Sequence, residues 1–299
     1  MNAFFVLALK GFAMGAADVV PGVSGGTMAF ILGIYTRLID AIKSFDWPWL
    51  LGIFKLDFHS TFSRPHFAFL IPLGSGIVSA VLFFTHVIPI PKLLHSHPEH
   101  IYGLFFGLIV GSVVVLLRDI ANLSLRDLVA VALGIIFGGV IVTAIPTQTP
   151  DTWWVILGSG AVAICAMVVP GISGSFILLI LGKYATVLDG LGRFDLSIIV
   201  PFTIGAGLGL VAFTRLLSWL LHRFERMMLL AISGFLLASL WVIWPFQQRA
   251  YVTVRGKQRL LETSPILPPW DNSTVAAVVF AVIGCSCVIA VAAIANRHK

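Results

Sequence analysis

Charged residues are scarce in this sequence, and their scarcity argues against a soluble protein. Only 11% of the 299 residues are Asp, Glu, Lys or Arg, whereas 59% are hydrophobic. A soluble globular domain usually carries about 25% charged residues. With a mean hydropathy of +1.02, the chain is expected to be an all-α integral membrane protein with almost no room for a soluble domain.

Cysteine is also scarce, and so are clusters of metal ligands. The three cysteines, Cys165, Cys285 and Cys287, lie in apolar segments at spacings that predict neither a disulfide nor a metal site. No grouping of histidines and carboxylates along the chain indicates a metal centre. We therefore expect no metal and no cofactor.

Nucleic acid is a poor candidate for a partner, although the net charge is +6. The basic residues are scattered over short loops and segment ends instead of forming one patch. Positively charged cytoplasmic loops and contacts with anionic lipid head groups explain this distribution better.

The sequence does contain a conspicuous break in an apolar run, Val-Pro-Gly-Val-Ser-Gly-Gly-Thr at residues 20–27. Pro21 removes a backbone donor, and Gly22, Gly25 and Gly26 are poor helix formers. In lipid, such a break leaves backbone groups without partners. It is tolerated only where it is buried in protein or lines a cavity.

The same motif recurs 149 residues later (170 − 21) as Val-Pro-Gly-Ile-Ser-Gly-Ser-Phe at residues 169–176. The match continues at the same offset in Leu32-Gly33 with Leu181-Gly182, Tyr35 with Tyr184, Asp40 with Asp189, and Phe45-Asp46 with Phe194-Asp195. Such self-similarity indicates an internal duplication. It predicts two homologous halves, 1–150 and 151–299.

Each half is predicted to contain one broken helical element and three transmembrane helices. The broken elements are expected at 4–42 and 153–190, and an interfacial segment with aromatic anchors at 43–66. The full spans are expected near 67–90, 101–117, 128–146, 198–221, 228–246 and 273–295. Small residues four apart, as in Gly103, Gly107 and Gly111, predict close packing between these helices.

The topology depends on whether each broken element reverses or crosses the membrane. Re-entrant hairpins leave three spans per half, so the repeats would be inverted, whereas crossing elements leave four and make the repeats parallel. We favour hairpins, because Pro-Gly followed by Ser-Gly suits a reversal of the chain. With hairpins, more Lys and Arg residues fall on the side of the N-terminus, which favours cytoplasmic termini.

Ala13 to Ala17 resembles a signal-peptidase site, but cleavage there would remove the partner of the segment before Pro170, so we expect none.

Broken helices in inverted repeats can direct their N-terminal N–H groups at an anion near the bilayer midplane. The motif residues that suit a phosphate or carboxylate are Ser24, Gly25, Gly26, Thr27, Ser173, Gly174 and Ser175. Pro21, Gly22, Pro170 and Gly171 would shape the two breaks. The alternative is that Ser24 and Ser173 merely cap their own helices.

Five charged or titratable residues complete the predicted site. Arg215 lies inside a span and would supply a fixed charge for the anion, with its repeat mate His86 as the titratable counterpart; snorkelling to the interface is the alternative. Asp18 could take up a coupled proton or brace the loop. Arg37 and Lys183 could steer an anionic head group or anchor the interface.

These residues resemble the polyprenyl-phosphate transporter (PopT-like) family, and the likeness covers essentially the whole chain. The segments that carry it are Gly15–Thr27, Gly33–Tyr35, Pro170–Ser175 and Gly182–Tyr184. The resemblance implies a flippase of the bacterial cytoplasmic (inner) membrane. It would return undecaprenyl phosphate from the outer to the inner leaflet, and so recycle the lipid carrier for peptidoglycan and other envelope polymers.

The chain departs from the family at two positions. Members often have an acidic residue after the motif tyrosine, where this chain has Thr36 and Ala185. Coupling to protons or another ion would then have to use another group, such as Asp18. Phosphate monoesters titrate near pH 6, so proton coupling is chemically reasonable. A homodimer is considered as the oligomeric form.

Two other functions compete with this interpretation. A small-anion symporter for phosphate or carboxylate would use the same breaks but no lateral opening. A lipid phosphatase would need a Pro-Ser-Gly-His motif, which is missing, and Arg and His six residues apart, whereas Arg215 and His222 are seven apart. The chain is therefore not expected to be an enzyme.

Overall fold

The computed structural model describes residues 3–20, 24–46, 48–49, 52, 55, 57, 63–87, 96–119, 124–147, 149–254 and 257–296. In the first half the helices are α1 (Ala3–Asp18), α2 (Gly25–Ile31), α3 (Tyr35–Lys43), α4 (Phe67–His86), α5 (Pro98–Asp119) and α6 (Leu125–Val142). In the second half they are α7 (Trp153–Val168), α8 (Gly174–Ile180), α9 (Tyr184–Arg193), α10 (Leu196–Arg223), α11 (Glu225–Ile243) and α12 (Asn272–Asn296).

Six of these helices are long and apolar enough to cross a bilayer. They are α4, α5 and α6 in the first half and α10, α11 and α12 in the second. Each corresponds to one predicted span with bounds that differ by a few residues, because hydropathy defines an apolar core better than a helix end. The prediction of an all-α membrane protein is confirmed.

The broken elements are more segmented than the sequence predicts. The apolar stretches 27–42 and 174–190 are each divided, into α2 and α3 and into α8 and α9. Gly33 and Gly182 end the first piece of each pair with φ of +66° and +65°, a left-handed conformation that glycine adopts without strain. Between α8 and α9 the chain turns through 113°.

The segment between the spans predicted near 228–246 and 273–295 is not only a connecting loop. The structure has two antiparallel strands there, β1 (Gln247–Val254) and β2 (Lys257–Pro265). The pairing is interrupted by an irregularity between Ala250 and Tyr251. Frequent charges and glutamines conceal the strand pattern in the sequence.

The chain forms two compact units, and each draws on both halves of the sequence. The first consists of Met1–Ile88 and Pro146–Glu225, and therefore contains both broken elements together with α4 and α10. The second consists of Pro89–Ile145 and Arg226–Lys299. A division by spatial packing thus cuts across the division by sequence similarity.

Within the first unit, α1 packs against α4 and α7 packs against α10 at corresponding places. Gly76 faces the backbone of Ala8, and Gly205 faces that of Leu157. Neither glycine has room for a Cβ, since the facing carbonyl oxygen occupies that space. The contact of Gly11 with Leu73 likewise corresponds to that of Gly160 with Phe202.

Glycines also bring helices together within the second unit. Gly103 and Gly107 lie against the backbone of Ala277 and Ala281 of α12. Gly134 lies in the same way against Ala231, which joins α6 to α11. The predicted close packing at these small residues is therefore confirmed.

A buried carboxylate fastens α6 to the start of α11. The Asp127 carboxylate accepts hydrogen bonds from Arg226 Nε and Nη2 at 3.0 and 2.7 Å. Asp127 also accepts from the backbone N–H of Ser124 at 2.8 Å, which completes a capping box at the start of α6.

Part of the predicted interfacial segment, 43–66, lies outside the described residues. In the described part, Asp46 forms an ion pair with Arg64 at 3.0 Å. The rings of Phe45 and Trp49 meet edge to face at 4.9 Å.

Candidate functional site

The first unit brings the two broken elements into direct contact. The Thr27 hydroxyl oxygen accepts a hydrogen bond from the backbone N–H of Gly171 at 2.9 Å. The Tyr35 hydroxyl donates to the carbonyl oxygen of Val168 at 3.0 Å. Thr27 and Tyr35 are both buried. The start of α2 and the start of α3 are thereby fixed against the second break.

At the first break, the protein satisfies the start of α2 with its own groups. The Asp18 carboxylate accepts from the N–H of Gly25 at 2.6 Å, and the Ser24 hydroxyl accepts from that of Gly26 at 3.1 Å. A Cβ on Gly25 would lie 2.6 Å from Asp18 Oδ2, so the absent side chain allows this approach. The bracing role considered for Asp18 thus has a contact to support it. Pro21 and Gly22 lie outside the described residues.

At the second break, the start of α8 is more open. The Ser173 hydroxyl accepts from the N–H of Phe176 at 3.3 Å and lies 3.1 Å from the hydroxyl of Ser175. Ser175 is exposed, and Ser173 and Gly174 are half-buried. The N–H groups of Gly174 and Ser175 have no hydrogen-bond partner within the described part of the chain.

The second turn itself is tightly built. Pro170 and Gly171 are buried, and Gly171 has a φ of +102°, which disfavours any residue with a side chain. Gly174 lies beside α7, where a Cβ would be 2.8 Å from the carbonyl oxygen of Ala163. The start of α8 therefore packs against the C-terminal half of α7.

Arg215 lies in a cleft between α3 and α10. The cleft has a volume of about 100 Å³ and is lined by Ile42, Lys43, Phe45, Leu210, Val211, Thr214 and Arg215. None of these residues belongs to a Pro-Gly motif. Arg215 thus shares this cleft with a second cation, Lys43, and with apolar side chains, and the cleft is distinct from the two breaks.

The remaining predicted residues lie around the same unit. His86 is exposed at the end of α4, with Nδ1 3.1 Å from the carbonyl oxygen of Leu82. Arg37 is exposed and stacks over the Phe69 ring at 4.6 Å. Lys183 is buried, and its ammonium donates to the carbonyl oxygen of Thr149 and the carboxylate of Asp151.

For Lys183 these contacts indicate a structural role. Its charge is already compensated by Asp151, and burial keeps the ammonium from a lipid head group. Arg37 remains accessible for a steering or anchoring role.

Three further polar contacts in this unit were not predicted from the sequence. The Lys10 ammonium donates to the carbonyl oxygen of Leu32 at 2.9 Å, next to the end of α2. The buried Ser218 hydroxyl donates to Asp40 at 2.8 Å and accepts from Lys43 at 3.1 Å. Lys10 could have been found, because a lysine inside an apolar helix requires a partner.

A cluster of potential metal ligands occurs in the second unit. His97, Glu99 and His100 bring one ligand atom each to within 4.8 Å of one another. No metal site was expected from the sequence, since the histidines of this loop have no recognised spacing. His97 directly precedes α5, and its carbonyl oxygen accepts a hydrogen bond from the N–H of His100 at 3.3 Å, which keeps the three residues close together.

Comparison with known proteins identifies the family to which the chain is similar. Residues 14–260 match the family described as undecaprenyl phosphate translocase-like. A polyprenyl-phosphate transporter of Vibrio cholerae is 44% identical over 241 residues, which cover 80% of this chain and 77% of the relative. One of Staphylococcus aureus is 34% identical over 258 residues, covering 79% and 85%. No solved structure matches the chain.

The matched region contains both Pro-Gly motifs. The family description and the names of the two relatives refer to transport and not to an enzymatic reaction. The chain therefore belongs to the undecaprenyl phosphate translocase-like family.

Proposed function

We propose that this protein transports polyprenyl phosphate across the membrane, with the phosphate bound at the start of α8. The observation that carries the proposal is the contrast between the two breaks. At α2, Asp18 and Ser24 occupy the first N–H groups, whereas those of Gly174 and Ser175 are available. Free N–H groups at the start of a helix point at a bound phosphate, and the helix dipole favours its negative charge.

The hydroxyls of Ser173 and Ser175 would add donors to this site. They lie 3.1 Å apart, which allows both to reach oxygens of one phosphate group. A phosphate there would meet a positive helix end and four neutral donors in total, counting the N–H groups of Gly174 and Ser175. Binding by neutral groups suits a carrier, which must release its substrate on the other side.

The first motif would mainly hold the second break in position. Thr27 accepts from the N–H of Gly171, so movement of α2 is transmitted to the second break. Asp18 already places a carboxylate at the start of α2, where a second anion would be repelled. Uptake of a proton by Asp18 would remove this repulsion, which provides one route to coupling.

The cleft at Arg215 would provide a second, weaker contact for the anion. Lys43 and Arg215 carry the charge, and the apolar residues that line the cleft suit the first part of a lipid tail. The long tail can remain in the bilayer while only the head group crosses. His86 and Arg37 would contribute at the membrane surface.

The direction that we propose is from the outer to the inner leaflet of the bacterial cytoplasmic membrane. Undecaprenyl phosphate released during envelope synthesis would be returned for a further cycle of loading. Membership in the undecaprenyl phosphate translocase-like family and the names of the two relatives support this substrate. Both termini would lie in the cytoplasm.

The experiment that tests the proposal follows labelled polyprenyl phosphate between the leaflets of proteoliposomes. We expect transfer by the wild type and a loss of at least about tenfold in Ser173→Ala/Ser175→Ala. Ser197→Ala is a suitable control, because Ser197 lies outside both motifs at the start of α10. Transfer unaffected by the double substitution would overturn the site. Uptake of inorganic phosphate into the lumen without lipid transfer would favour a small-anion symporter.

A further inference from the structure

A group of three metal-binding side chains lies at the start of α5, in the second compact unit and outside the transport site. His97 precedes the helix, and Glu99 and His100 lie in its first turn. We propose that His97, Glu99 and His100 form a binding site for a divalent transition metal ion such as Zn²⁺. Two imidazoles and one carboxylate are ligands that Zn²⁺ commonly selects.

Two of the three distances between the ligand atoms fit a shared ion, and all three atoms lie within 4.8 Å of one another. Glu99 Oε1 lies 3.4 Å from Nδ1 of His97 and 3.5 Å from Nδ1 of His100. Two atoms that each bind a tetrahedral Zn²⁺ at about 2.0–2.1 Å are about 3.3–3.4 Å apart. The same distances are long for hydrogen bonds. The two imidazoles thus converge on one carboxylate oxygen at the spacing that coordination requires.

The surroundings hold the ligands while leaving the site accessible. The ring of His100 meets that of Phe280 edge to face at 4.8 Å, which fixes its orientation. The Glu99 side chain is 15% exposed and that of His97 is 61% exposed. Metal ions can therefore enter past His97. Three protein ligands also leave one coordination position for water or an exchangeable group.

Charge favours a carboxylate-containing site at this place. The start of a helix carries partial positive charge, which opposes a bound cation. The Glu99 carboxylate offsets that charge and neutralises part of the charge on the ion. We therefore expect removal of the carboxylate to weaken binding as strongly as removal of the imidazoles.

The test uses the full chain purified in detergent with an affinity tag that contains no histidine. After treatment with a chelator, Zn²⁺ is titrated against a competing chromogenic chelator. We expect the wild type to bind one ion per chain through this site. His97→Ala/His100→Ala and Glu99→Gln should each lower the affinity at least about tenfold. His66→Ala, at an exposed histidine before α4, should bind as the wild type does.

Thermal unfolding with and without Zn²⁺ separates lost binding from lost folding. An ion that binds the folded chain raises the melting temperature. The increase should appear in the wild type and in His66→Ala but not in the cluster variants, whose metal-free melting temperatures should match that of the wild type. Absence of Zn²⁺ binding by the wild type, or unchanged affinity in the double variant, would overturn the proposal. Neither result depends on transport.

Discussion

Thr27 joins the two broken elements through its hydroxyl group. The hydroxyl oxygen accepts from the N–H of Gly171, and Thr27 is 1% exposed. Thr27→Val keeps nearly the same volume but leaves a buried N–H unsatisfied, which costs about 1–3 kcal/mol. We expect a lower melting temperature and slower lipid transfer for Thr27→Val. Thr27→Ser keeps the acceptor and should be closer to the wild type in both measurements.

A valine variant as stable as the serine variant would contradict this role. Equal stability with lost transport would instead assign the hydroxyl to the substrate. Thermal unfolding in detergent and transfer in proteoliposomes, measured on the same preparations, distinguish these outcomes.

A second test at a single residue concerns Asp18, because bracing and proton uptake require different properties of its side chain. Asn keeps an oxygen that can accept from the N–H of Gly25, whereas Ala removes it. For bracing alone, Asp18→Asn should retain stability and transport, and Asp18→Ala should lose about 1 kcal/mol, as is typical of a lost helix cap. A stable but inactive Asp18→Asn would indicate that the charge or its protonation is required.

The packing of whole elements depends on glycines that face a neighbouring backbone. Gly205 faces Leu157, whereas a Cβ added to Gly207 on the same helix would have no neighbouring atom within 4 Å. Gly205→Ala must separate α7 from α10 and should cost about 1–3 kcal/mol. Gly207→Ala should be neutral or stabilising, because alanine favours a helix. Thermal unfolding checks both, and equal effects would contradict this packing argument.

The elements also show what a sequence can predict. Six spans were found because a long apolar run has few alternatives in a membrane. The turns at Gly33 and Gly182 were not predicted, since a lone glycine inside an apolar stretch is compatible with a continuous helix. The hydrogen bond of Tyr35 to Val168, which follows the turn at Gly33, joins segments far apart in the sequence and has no signal in the local pattern.

Prediction of the site was limited in a similar way. The duplicated motif identified Ser24 and Ser173 as equivalent, and both do accept from N–H groups of their own helix. Their difference comes from Asp18, whose second-half equivalent is Met167. Contacts between distant segments, including that of Lys183 with Asp151, cannot be deduced from spacing along one chain.

For the whole molecule, the main prediction concerns membrane topology. If the broken elements are re-entrant, the segment before α7 and the turn after α10 lie on opposite sides of the membrane. If they cross, both lie on the same side. We expect opposite sides, since α8 packs back against α7.

Single cysteines at Pro150 and Phe224, both exposed, report on these positions. They would be introduced after replacement of Cys165, Cys285 and Cys287 by serine. An impermeant maleimide applied to intact cells should label Pro150→Cys but not Phe224→Cys. After the membrane is opened, it should label both variants. Equal labelling of the two positions would contradict the inverted arrangement.

The alternating order of the two units along the chain has a consequence for synthesis of the protein. Thr27 and Gly171 are 144 residues apart, and Pro89–Ile145, which belongs to the other unit, is made between them. At about 5–20 residues per second, the ribosome needs roughly 7 to 30 seconds to supply the missing segment. During that interval α1 to α4 have been synthesised, but Thr27 and Tyr35 cannot yet contact the second break. Chaperones or the insertion machinery would therefore meet this chain as a half-assembled unit at every round of translation.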